Sequence, residues 1–76
     1  MKSKIDLQVI EKIKKRRLEL KVSQAELAYG IGVSLGFIGQ VESVHYPAKY
    51  SVTQLYQIAQ YLECAPGDFF PHIDNE

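Results

Sequence analysis

The 76-residue sequence holds one cysteine, Cys64. A lone thiol cannot close an internal disulfide, and Cys64 lacks the neighbours that a zinc site would need. It is read as a small apolar residue of the interior. Long apolar runs are missing too: no stretch approaches the ~20 residues that a membrane-spanning helix requires. The opening MKSKIDLQVIEK meets charges too early for a secretory signal. There is no low-complexity tract. Chemistry-bearing groups are equally sparse, since His45 and His72 have no cysteine or carboxylate at nucleophile or metal spacing. A small helical domain also offers little of the concave pocket that enzymes use. These absences argue against a disulfide-stapled scaffold, a membrane span and a catalyst. The expectation is a cytoplasmic, non-enzymatic protein with no metal, no cofactor and no membrane partner.

What is present suits one small globular domain. Hydrophobic residues make up 46% of the chain and charged ones 24%, ordinary values for a packed core. The formal net charge is zero, yet the charges are unevenly placed. Residues 1–21 carry eight basic side chains (Lys2, Lys4, Lys12, Lys14, Lys15, Arg16, Arg17 and Lys21) against Asp6, Glu11 and Glu19. The remainder carries Lys49 against six carboxylates. A chain divided in this way can draw an anionic polymer to one end or pair head-to-tail with a copy of itself.

Periodicity and capping residues predict four helices and a short final turn. The first spans about Leu7 to Leu20, with Val9, Ile10, Ile13 and Leu20 on one arc and Arg17 projecting from its middle. Ser23 and Glu26 form a capping box that opens the second, whose inner stripe is Leu27, Ala28 and Ile31. The run Gly30-Ile31-Gly32-Val33 stops it, with Gly32 in the left-handed turn position. Ser34 caps a third helix, Leu35 to about Ser43, with Phe37, Ile38 and Val41 inward. Residues 43–50, interrupted by Pro47, read as a loop. Ser51 and Gln54 form a second box, followed by a stripe of Val52, Leu55, Ile58, Ala59 and Leu62. Pro66 starts a last turn that Pro71 ends. The whole is one domain, residues 1–76, with a core of about 7–71 and flexible segments at 1–5 and 72–76; its ending reads as complete.

The stretch SQAELAYGIGVSLGFIGQVES, residues 23–43, is the most informative. Two short helices joined by a glycine turn cross steeply, which calls for a small residue at the crossing, Ala28, and apolar inner faces. This stretch resembles the Xre-type helix-turn-helix of the Cro and lambda-repressor superfamily. The S-Q-x-E-L-A opening stands as Ser23, Gln24, Glu26, Leu27 and Ala28, and the turn glycine, later isoleucine and terminal glutamate as Gly32, Ile38 and Glu42. The likeness runs from about Val9 to Phe70. It implies an all-α, compact, four- to five-helix lambda-repressor-like domain with the helix-turn-helix at helices 2 and 3.

The resemblance further implies a sequence-specific DNA-binding transcriptional regulator, expected to repress, acting as a homodimer on double-stranded DNA. The third helix would enter the major groove, presenting Ser34, Leu35, Gly36, Gly39, Gln40 and Ser43. Gln24 would meet a phosphate at the start of the second helix, and Lys49, with His45 and Tyr46, would touch the backbone from the loop. It also pairs Arg17 with Glu42, a structural salt bridge. The residues suggest that pair independently, because both charges lie on inward-facing arcs and a buried charge without a partner is costly. Two departures stand out. Leu35, Gly36 and Gly39 occupy positions where relatives carry polar side chains, which leaves Gln40 as the main reader of base edges. The span from Glu42 to Leu55 is two residues longer than in relatives, with Val44 in place of a glycine. The alternative is an antitoxin or protein-interaction adaptor that keeps this fold and uses its surface for a protein partner such as a toxin.

Overall fold

Four residues at the start decide where the first helix begins. The Ser3 hydroxyl accepts the Asp6 amide and the Asp6 carboxylate accepts the Ser3 amide, a reciprocal box that satisfies two orphan donors. In the computed structural model, which describes residues 1–73, helix α1 therefore runs Lys4–Glu19, three residues earlier than its apolar periodicity suggests. The segment expected to be flexible at 1–5 is instead tied down by this box and by Lys2, whose ammonium reaches carbonyls of residues 40–43. Of the tail expected to fray, residues 74–76 lie outside the described residues.

Helix α2 spans Gln24–Ile31, α3 spans Leu35–Glu42 and α4 spans Val52–Tyr61, followed by a short 3₁₀ turn at Pro66–Phe69. Ser23 and Ser51 form the expected boxes with Glu26 and Gln54, and the Ser34 hydroxyl accepts the Phe37 amide at 3.0 Å. No strand occurs among the described residues. The architecture is all-α, with α2 packed on α3 and α4, and α1 closing against α3 and the final turn. Helices α2 and α3, joined through Gly32 and packed on one another, form the helix-turn-helix expected at residues 23–43.

The core gathers Ile13, Leu27, Ile38, Ile58, Leu62 and Phe69, each almost fully buried, with the small Ala28 of α2 buried among them. Each large side chain contributes about 1.5–3 kcal/mol by leaving water. Two residues assigned to inner stripes lie outside it. Leu20 falls at the C-cap of α1 and is 38% exposed, and Val52 begins α4 and is 84% exposed. Helix ends overhang the core, so periodicity overstates burial there.

Gly32 adopts φ +72, the left-handed cap expected of it. Gly30, expected to help stop the helix, lies inside α2, where the Tyr61 ring covers it; a Cβ there would sit 2.5 Å from Tyr61 Cε1. Gly36 and Gly39 are different. A Cβ on either would meet nothing closer than 4.0 Å, so the fold has no need of glycine at these positions of α3.

Arg17 is the one buried charged residue among the described residues apart from its partner's carboxylate. Its Nε donates to Glu42 Oε2 at 3.0 Å and its Nη2 to Glu42 Oε1 at 2.9 Å, while Nη1 donates to the Val22 carbonyl at 2.8 Å. The two side chains are only 6% and 5% exposed. Parallel bonds of this kind match the guanidinium fork to the carboxylate and tie α1 to α3.

Two stability predictions follow from these positions. Gly32→Ala will cost about 1 kcal/mol, because alanine is strained in the left-handed region, whereas Gly36→Ala will stabilise by about 0.5–1 kcal/mol through higher helix propensity. Thermal melts will separate them, at roughly 4–8 °C per kcal/mol for a domain this size; equal shifts in one direction would refute the assignment. Glu42→Gln and Arg17→Met will each destabilise by about 3–5 kcal/mol, since the surviving group stays buried without its ion partner. Urea unfolding that places both variants within about 1 kcal/mol of the parent would show the pair to be unimportant to the fold.

Candidate nucleic-acid interface

The exposed side of α3 begins at its cap. Ser34 spends its hydroxyl on the Phe37 amide, as a capping side chain must to satisfy an orphan donor. Leu35 follows, half in solvent, and Gly36 and Gln40 are fully on the surface. Gly39 is half-buried beneath Gln24, whose Oε1 lies 4.0 Å from the place a Cβ would take. Ser43 ends the helix in extended conformation, and its hydroxyl accepts the His45 amide at 3.2 Å. The residues Leu35, Gly36, Gly39, Gln40 and Ser43 thus run along one side of α3, uncharged and, apart from Leu35 and Gln40, with little side chain. Nothing in their own element obstructs an approaching surface.

Gln24 stands at the first position of α2 and leans toward α3. Its Nε2 donates to Glu42 Oε1 at 3.0 Å, the same oxygen that receives Arg17 Nη2. A side-chain amide nitrogen has two hydrogens. Glu42 takes one and fixes the direction of the other. The Gln24 side chain is therefore oriented by the buried pair rather than free. In the first turn of α2, the Ser23 cap accepts the Glu26 amide and the Leu27 amide returns to the Ser23 carbonyl. The amides before them are the orphan donors of a helix start, which carry the positive end of its dipole.

Lys49 does not stand free in the loop: its ammonium pairs with Asp6 at 3.0 Å, binding the α3–α4 loop to the start of α1. His45 and Tyr46 are exposed beside it. Two groups escaped sequence reasoning. Lys2 reaches the end of α3 from the opposite end of the chain, a contact with no local signal. Tyr50 packs edge-on against Phe37, with centroids 6.1 Å apart, and its hydroxyl is buried without a hydrogen-bond partner among the described residues. Burial holds its phenol well above the usual range, the charge of Glu42 adding to the effect and that of Arg17 opposing it. Tyr50 carries no distinguishing signal in the sequence, since the same loop holds a second tyrosine, Tyr46, that stays exposed.

A groove of about 450 Å³ lies elsewhere. It runs between α1 and the final turn and is lined by Lys12, Lys15, Arg16 and Glu19 on one side and Glu63, Cys64, Asp68 and Phe69 on the other. Charges of both signs line it, and no residue of α3 takes part. Cys64 is half-buried there, its thiol raised in pKa chiefly by burial. No helix among the described residues is long and apolar enough to cross a membrane.

No family model and no curated protein matches the chain. Solved structures do. The hydroxypropylphosphonic acid epoxidase from S. wedmorenis superposes with a TM-score of 0.78 at 26% identity, covering 92% of this chain but only 36% of the epoxidase. The chain thus spans about two-fifths or less of the length of that enzyme. SinR, the master regulator for biofilm formation, solved in complex with DNA, superposes at a TM-score of 0.69 over 80% of this chain and 95% of its own, and its 23% identity speaks for the fold alone. A mutant of the restriction-modification controller protein C.Esp1396I superposes at a TM-score of 0.76 with 30% identity, covering 91% of this chain and 85% of the controller. With that identity over most of both chains, this protein belongs to the same helix-turn-helix family as the restriction-modification controller protein.

Proposed function

We propose that the chain is an Xre-type, sequence-specific DNA-binding regulator of transcription, expected to repress, which lays α3 in the major groove and works as a homodimer rather than as an enzyme. One observation carries the reading: Gln24, at the start of α2, is held by Glu42 above the exposed side of α3. That arrangement sets an amide donor and a helix N-terminus beside a smooth helix, as needed to fix a phosphate while the neighbouring helix meets base edges. Family membership with a controller protein and the fold shared with a DNA-bound regulator support it. On the reading face, Gln40 is the side chain able to make paired hydrogen bonds to adenine, and Leu35 offers apolar contact to a thymine methyl. Gly36 and Gly39 bring backbone close to the groove. Ser34 and Ser43 flank the arc, and Lys49 would meet the backbone only by exchanging its Asp6 partner for a phosphate.

The adaptor reading, with a toxin or another protein as partner, draws on the same small, uncharged face and on the zero net charge. Substitution separates the two. Gln40→Ala will cost about 1–3 kcal/mol on the preferred duplex and relax preference at one base pair, leaving random duplex nearly unaffected. Gln24→Ala will weaken all duplexes alike. Titrations at several salt concentrations, with sites chosen from a randomised library, read both effects. No change on any duplex, with loss of a protein partner instead, would establish the adaptor.

The homodimer is expected to form through the C-terminal part. Phe69 and Phe70 are neighbours on the final turn, and they divide as adjacency requires: Phe69 is 2% exposed in the core, while Phe70 is 42% exposed beside the half-exposed Ile5. An aromatic left in water on a small domain suits an interface anchor. Sedimentation of the parent will give a dimer that Phe70→Ala shifts toward monomer. A parent that remains monomeric at high micromolar concentration, with and without DNA, would remove the dimer from the proposal.

A further inference from the structure

Three of the four helices end in the same way. Lys21 after α1, Gly32 after α2 and Glu63 after α4 all take left-handed backbone, with φ of 58, 72 and 58. The next amide then folds back in each case: Val22 to the Arg17 carbonyl, Val33 to Ala28 and Cys64 to Ala59, all at 2.9 Å. This motif satisfies carbonyls that a helix otherwise leaves unpaired at its end. Helix α3 lacks it. Ser43 continues in extended conformation with φ −96 and ψ 136, and its amide returns only to Gln40 at 3.2 Å. No basic residue stands in the last turn to meet the negative end of the dipole.

The missing cap comes from the other end of the chain. Lys2 Nζ donates to the carbonyls of Val41 at 2.6 Å, Ser43 at 2.5 Å and Gln40 at 3.3 Å. An ammonium has three hydrogens, and these three carbonyls take them. The approach is built: Ser3, next in sequence, caps α1, and Asp6, its partner in the box, holds Lys49 of the α3–α4 loop. The start of α1 thus grips both the end of α3 and the loop that leaves it.

We infer that Lys2 is the carboxyl-terminal cap of α3, a positioning residue that sets how the helix ends and where its last turn points, rather than a free cation for phosphate. The cap itself stands on the geometry above; that it positions a base-reading helix rests on the proposed function. Its ammonium satisfies carbonyls and offsets the dipole together. A charge surplus in the first 21 residues is thereby partly committed inside the molecule.

Amide hydrogen exchange of the full chain, followed by NMR, tests the cap without DNA. Lys2→Ala will speed exchange of the Val41, Glu42 and Ser43 amides by roughly fivefold or more relative to the parent, with the first turn of α2 unchanged. Lys4→Ala, which removes an exposed lysine of the same segment, will leave these rates alone, and Lys2→Arg will restore most of the protection. Unchanged rates in Lys2→Ala overturn the cap. On duplex, Lys2→Ala will narrow the ratio of affinities between preferred and random sites by roughly fivefold while leaving the salt slope as it is. A uniform loss of affinity with the slope reduced by about one, at unchanged exchange, identifies Lys2 as a phosphate ligand and overturns the inference. Absence of binding to any duplex refutes the DNA reading alone, since the exchange rates decide the cap independently.

Discussion

The pair between Arg17 and Glu42 is the constraint on which the rest of the interface depends. Taking two charges out of water is expensive, and their attraction repays the cost only with good geometry and further hydrogen bonds. Both conditions hold: the contact is bidentate, Nη1 of Arg17 finds the Val22 carbonyl, and Oε1 of Glu42 also accepts from Gln24. The pair forms only when α1, the start of α2 and the end of α3 have all arrived. It therefore works against alternative packings of two short helices that apolar contacts alone would specify weakly. It also carries that constraint to the surface, because Gln24 is aimed by the same carboxylate.

Around this centre, α3 is the helix that its own sequence supports least. It has eight residues, two of them glycines that no neighbour requires, and it lacks the left-handed ending of the other three helices. Glycine inside a helix costs backbone entropy, so the segment is stable through what holds it from outside. Ser34 caps one end, Ile38 and Val41 bury the inner side, Glu42 locks the last turn to Arg17, and Lys2 takes the final carbonyls. A helix held in this way can keep a bare outer side. That side is uncharged, so on the proposed function discrimination through it would lean on backbone proximity and groove shape, with Gln40 as the main hydrogen-bonding contact.

The charge imbalance along the chain is resolved in a related manner. The basic first segment suggested an attraction for polyanions, yet several of its cations are already engaged. Arg17 is buried, Lys2 caps α3, and Arg16 donates to the Leu62 carbonyl at 3.1 Å beside the final turn. In the opposite half, Lys49 is occupied by Asp6. Among the described residues, Arg17 and Glu42 join a cation of the basic segment to a carboxylate of the remainder, while Lys49 and Asp6 pair in the opposite sense. What remains for an external anion is the exposed outer side of α1 and the oriented donors at the start of α2.

Local chemistry was legible in the sequence wherever its cause was local. The boxes of Ser23 with Glu26 and Ser51 with Gln54, the left-handed Gly32, the buried Ala28 and the division of Phe69 from Phe70 each follow from a few neighbouring residues. Arg17 and Glu42 can be matched by the family resemblance and also because Arg17 lies inside one apolar stripe and Glu42 at the edge of another, and a buried charge demands an opposite one. Apolar periodicity starts α1 too late although Ser3 and Asp6 make a box, because an aspartate does the work that the S-x-x-E pattern gives to glutamate. Tertiary structure alone decided the rest. Lys21 and Glu63 take the left-handed cap without glycine, each followed by an amide that returns to the helix it ends. Gly30 is reserved for the Tyr61 ring, Gln24 is aimed by Glu42, and Lys2 meets carbonyls about forty residues away. A contact across that distance leaves no periodicity and no motif, since its partners are backbone carbonyls that every residue possesses.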